Sequence, residues 1–175
     1  MSITQFNASY VAEEDRVLFR FNTSESQEFR LWLSRAIVRD LLALGAQAAV
    51  AVVAREHPPE QAKAIAEFKQ QTQAQTTQFT TFVPATQFPI GADPLLVKHV
   101  RFTLEKTNCA LQLELQRGQV LTLQLTEAMV GQLRLLLDTI QAKAAWGLGA
   151  SSPSLQEDKT QTPGPSDRVG TKVIH

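Results

Sequence analysis

Apolar and polar residues alternate along "SYVAEEDRVLFRFNTSESQEFRLWL", the pattern of strands with one buried face. Val17, Phe19 and Phe21 fall on one side of a first strand, and Phe29, Leu31 and Leu33 on one side of the next; the polar "NTSES" between them predicts a hairpin turn. An earlier strand carries Phe6, Ala8 and Tyr10 and ends before the acidic "EED". At Ser34 the period changes. Ile37, Leu41, Leu44 and Ala48 then follow at the spacing of one helical face. The second half repeats the plan: Val100, Phe102 and Leu104, then Leu111, Leu113 and Leu115, then Leu121, Leu123 and Leu125, with "QRGQ" at 116–119 as a tight turn. Thr126 takes the place of Ser34, and Met129, Leu133, Leu136 and Ile140 continue at helical spacing. The expectation is an α+β fold of duplicated βββα units, with an antiparallel sheet and helices packed on one face.

A serine at a strand-to-helix corner raises the question of a nucleophile. A nucleophile elbow needs small residues two positions to either side, and here those positions hold Trp32 and Ala36. Ser34 and Thr126 read instead as helix caps, whose hydroxyl oxygens accept from a first-turn amide otherwise left without a partner.

Between the repeats, the helix from Arg35 is expected to reach Arg55 or Glu56 and stop at "HPP". A second helix, "PEQAKAIAEFKQQTQ", starts on the proline pair with Ala62, Ile65, Ala66 and Lys69 as a weak stripe. The Gln, Thr and Pro-rich "AQTTQFTTFVPATQFPIGADP" reads as a long irregular connection whose Phe79, Phe82, Val83 and Phe88 lie across the sheet. This predicts a single domain over 1–148, made of repeat one at 3–56, an insertion at 57–94 and repeat two at 95–146, followed by a disordered tail at 149–175. Leu41 to Ala54 is apolar apart from Gln47, but it falls short of the roughly 20 residues a bilayer requires, so a buried helix is expected and no membrane association.

Composition removes several chemistries. In a chain of 175 residues, Lys and Arg total 17, as do Asp and Glu, so no overall field recruits polyanions. The lone Cys109 forms no internal disulfide, and with no secretory pattern at the start of the chain the expected compartment is the cytoplasm. His57, His99 and His175 lack metal-ligand spacing, Glu13, Glu14 and Asp15 read as a solvated turn, and neither a phosphate loop nor a dinucleotide fingerprint is present. No catalytic residue, cofactor or metal is expected.

The candidate interaction surface is the outward face of the first hairpin, where Arg20, Arg30 and Trp32 stand with Leu18. Cations beside an aromatic ring suit a nucleobase or an acidic partner. The competing reading covers Trp32 with the Phe-rich connection or a second subunit and pairs the arginines with Glu28 and neighbouring acids. The matching face of the second repeat, Gln112, Glu114, Gln116, Thr122 and Gln124, is uncharged or acidic.

The paired sheet-then-helix plan resembles in architecture the Whirly and purine-rich-element-binding families, a resemblance that implies single-stranded nucleic-acid binding. In residues, "EEDRVLFRFNTSESQEFRLWLSR", "PLLVKHVRFTLEK" and "AKAAWGL" are similar to a group of proteobacterial proteins with a D-R strand and an E-[YF]-R-L-W-L-[ST]-R hairpin. That resemblance implies a cytoplasmic bacterial protein and supplies no catalytic residue. Where the group's commoner form has two arginines after the hydroxyl residue, this chain has Arg35 and then Ala36. The functional expectation is a non-enzymatic, homodimeric protein-interaction module, with single-stranded nucleic-acid binding as the alternative.

Overall fold

The strand periods pair as the sequence suggests. In the computed structural model, which describes residues 3–77, 79, 81–105 and 108–148, β1 (Ile3–Val11), β2 (Arg16–Thr23) and β3 (Glu28–Leu33) form an antiparallel meander followed by helix α1 (Arg35–Val53). Helix α2 (Pro59–Thr76) follows, and then β4 (Leu95–Leu104), β5 (Cys109–Leu115), β6 (Val120–Leu125) and α3 (Glu127–Lys143) repeat the order. Helix α1 ends slightly earlier than expected, at Val53 with Ala54 as its C-cap, and α2 runs slightly further. The expected tail at 149–175 lies outside the described residues.

One six-stranded sheet results, ordered β1 to β6, and its architecture is α+β. It is mixed rather than wholly antiparallel. The two meanders meet at a parallel β3–β4 junction only two residue pairs long, Leu31 with Leu95 and Trp32 with Leu96. Helices α1 and α2 and the connection 77–94 supply the crossover that a parallel pair requires. The edge strands β1 and β6 approach one another, so the sheet curls around the helices.

The inner face is the core. Val17, Phe19, Phe21, Leu31 and Leu33 from the first meander join Leu111, Leu113, Leu115, Leu123 and Leu125 from the second, all buried. Phe21 and Phe29 stack at 4.8 Å between ring centroids. Each such side chain contributes about 1.5–3 kcal/mol by leaving water. Helices α1 and α3 lie side by side over this face, each on the opposite meander: α1 packs against β4 and α3 against β1. Gly45 permits the close approach, since a Cβ there would come within 2.9 Å of Arg134 Cγ on α3. Helix α2 forms an outer layer on α1 and α3, burying Ala62 and Ala66 with Val53 and bonding α3 through Lys69 to Glu127 and Gln73 Nε2 to the Ala128 carbonyl.

The two meanders agree in detail. Each has one register shift near the start of its first strand, between Ile3 and Gln5 and between Val97 and His99. Each closes its second hairpin alike: Thr23 N donates to Gln27 O with Ser26 left-handed at φ 58°, and Leu115 N donates to Gln119 O with Gly118 at φ 76°. The caps match as well. Ser34 Oγ accepts from Ile37 N at 3.4 Å and Thr126 Oγ1 accepts from Met129 N at 3.3 Å, as the cap reading predicts.

Candidate functional site

Strand alternation turns Asn7, Arg20, Asn22, Glu28, Arg30 and Trp32 toward the outer face of the first meander. Arg20 and Arg30 are direct cross-strand partners, and Trp32 pairs with Leu18 on one side and Leu96 on the other. The structure thus gathers the three candidate residues on one face, but it closes that face with part of the irregular connection. Residues 82–92 form a strap over it. The Arg20 guanidinium donates to Asn7 Oδ1 at 2.7 Å and lies 4.4 Å from the centre of the Phe82 ring. Arg30 donates to Glu28 Oε1 at 2.7 Å and to the Ala92 carbonyl, and Phe88 stacks on it at 4.5 Å.

Glu28 anchors the strap. Its carboxylate is fully buried, and removing it from water is tolerable because Arg30 and the Ala85 amide both donate to it, the amide at 3.1 Å. Its own amide donates to the Gln87 carbonyl, and the Gln5 and Asn22 side-chain amides both donate to the Val83 carbonyl at 2.7 and 2.6 Å. Asn22 Oδ1 is buried with no partner. The sequence pointed to the Arg30–Glu28 pair and to coverage by phenylalanines; the structure puts those rings on the guanidinium groups, with Trp32 half-buried beside them.

Ser34 Oγ serves the helix cap, and Cys109 is buried, its thiol pushed up chiefly by desolvation. Among the described residues no group of three His, Cys, Asp or Glu side chains could hold a metal ion.

Two further surfaces stand apart from the hairpin face, the first of them beyond the reach of the sequence pattern. A clasp joins the β1–β2 turn to the end of α3: the Asp15 carboxylate accepts from Trp146 Nε1 at 2.8 Å, from the Tyr10 hydroxyl at 3.0 Å and from Arg35 at 3.1 Å. These bonds, led by that from Trp146, hold the Asp15 carboxyl below its ordinary range. The bond from Trp146 spans 131 residues, so spacing gave no sign that the turn is clasped to α3.

The other is the open side of α1. This helix has the length and apolar composition to cross a membrane, yet only 33% of that stretch is buried. The expectation of a buried helix holds for the side carrying Ile37, Val38, Leu41, Gly45 and Ala48, whereas Leu42, Leu44, Ala46, Val50 and Ala51 are half-buried. Clefts of about 430 and 360 Å³ flank Arg134, the first lined by Ala46, Gln47, Val50, Ala51, Lys63 and Glu67 and the second bordered by Arg39, Leu42 and Asp138. Burial raises the Asp138 carboxyl above its ordinary range and lowers the Arg134 guanidinium below its own. No family model, curated protein or solved structure matches this chain.

Proposed function

We propose that this chain is a non-enzymatic, cytoplasmic protein-interaction module that self-associates as a homodimer through the open side of α1. The observation that carries this reading is a helix apolar enough to span a bilayer and only one-third buried, beside an apolar cleft of about 430 Å³. The rim favours a second copy as the occupant. Lys63 and Glu67 on α2, Arg39 and Asp40 on α1 and Asp138 on α3 place both signs of charge around one patch. A two-fold axis lays a patch on itself, so a self-complementary surface must carry both.

Against nucleic acid, Phe82 and Phe88 already occupy the guanidinium faces on which bases would stack, and Arg30 is neutralised by a buried carboxylate. The matched register shifts, turns and caps support reading the two βββα halves as copies of one unit.

Size-exclusion chromatography with light scattering tests the dimer. The wild-type chain is expected at twice the chain mass, and Ala46→Glu, on the half-buried open side, at the chain mass with an unchanged circular dichroism spectrum. A wild-type monomer at the highest attainable concentration rules the reading out.

A further inference from the structure

The matched registers allow the two outer faces to be compared position by position. Gln5 and Asn22 face one another in the first meander, as His99 and Glu114 do in the second; Asn7 with Arg20 corresponds to Arg101 with Gln112, and Glu28 to Val120. Each face therefore sets one arginine across from one amide, with the strands exchanged. The first face is filled by residues 82–92 of the chain itself. Among the described residues no segment covers the second: His99, Arg101, Gln112, Glu114 and Val120 line a cleft of about 440 Å³, and Val120 is 56% exposed. Among the described residues, the side chains of His99, Arg101, Gln112 and Glu114 have no hydrogen-bond or ion-pair partner.

We propose that this second face takes an extended peptide segment of a partner protein, one that presents an aromatic ring to Arg101 and a cationic side chain to Glu114. The first face is the precedent: an extended segment lies across it with a ring 4.4 Å from Arg20 and its backbone bonded to side chains of the sheet. The exchanges define the different ligand. Asn22 donates to a carbonyl of the strap, whereas the Glu114 carboxylate only accepts, so a cation or donor must meet it. Glu28 accepts a backbone amide, whereas Val120 offers apolar surface and favours an apolar side chain. A carboxylate within the cleft also disfavours a phosphate backbone and selects a peptide.

The site is separate from the α1 surface, so its test is independent of self-association. The probe is a fluorescein-labelled peptide of residues 81–92 carrying Ala85→Lys: Ala85 lies over Glu28, whose place Val120 takes in the second face, so the apolar stem of the lysine covers Val120 and its ammonium reaches the neighbouring Glu114. It is titrated into the full chain, whose own strap fills the first face, and followed by anisotropy. Saturable binding is expected, weakened about tenfold by Arg101→Ala and lost in Glu114→Lys, while Arg20→Ala leaves it unchanged. Absence of saturation, equal affinity in Arg101→Ala and Glu114→Lys, or Arg101-dependent binding of an oligothymidine in place of the peptide overturns the proposal.

Discussion

Ser26 and Gly118 occupy the same turn position in the two halves, and both are left-handed, at φ 58° and 76°. Glycine reaches that region without steric cost, whereas a Cβ in it is crowded by the neighbouring carbonyl. Ser26→Gly is therefore expected to raise stability by about 0.5–1 kcal/mol, read as a higher denaturation midpoint with an unchanged slope. A lowered midpoint would mean that the exposed serine makes up for its strained backbone. Both caps were legible from sequence because a cap is local: the hydroxyl, the amide it serves and the change of period all fall within a few residues of Ser34 or Thr126. The role of Glu28 was only half legible. Its proximity to Arg30 is a matter of spacing, but its complete burial depends on the amide of Ala85, 57 residues away.

Among the elements, the strap is the one whose state decides what the outer face offers. It has no regular secondary structure over most of its length and is held by bonds that Gln5, Asn22 and Arg30 donate to its carbonyls and that its Ala85 amide donates to Glu28. Glu28 is the common point. Glu28→Gln removes the charge that holds Arg30 and weakens the acceptor of the Ala85 amide, at an expected cost of about 1–3 kcal/mol. Because the core under β2 and β3 is untouched, the loss should be local. Amide hydrogen exchange is expected to quicken at Ala85 and Gln87 but not in Phe19 or Leu31, and uniform acceleration over both groups would show that the strap is integral to the meander. Phe82 and Phe88 could be expected over the sheet from their setting among Gln, Thr and Pro. That they stack on arginines was beyond a pattern of apolar positions, which treats an aromatic ring as a hydrophobe and not as a partner for cations.

The whole molecule is held together by the exchange of helices between its halves, with each helix also serving as a link to the opposite meander. At the end of α3, Trp146 is buried against Tyr10 and bonded to Asp15; at the end of α1, Arg55 donates to the Glu105 carbonyl in the β4–β5 turn. The Asp15 carboxyl is held below its ordinary value of 3.8 in the folded protein, so its contribution to stability is complete above that value and is lost as pH falls through the lower folded one. Unfolding midpoints measured at neutral pH and below pH 3.8 should diverge more in the wild-type protein than in Asp15→Asn. Identical divergence would mean that the clasp carries no linked proton.

What the amino-acid sequence determined by itself was, among the described residues, the run of six strands and three α-helices, the βββα order in each half, both capped corners and the inner face of every strand but β4, where Leu95 and Val97 are buried and Leu104 is exposed. All of these follow from periods of two and of 3.6 residues and from the backbone demands of turns and caps, which act over a few neighbours. Tertiary structure alone decided the parallel β3–β4 junction, the packing of each helix on the other half's first strand, the closing of Arg20 and Arg30 under the strap, and the open side left on α1. Periodicity marks which side of an element leaves water but not which surface it meets. That choice among distant partners rests on shape, crossover length and the pairing of buried polar groups, which exist only once the chain has closed on itself.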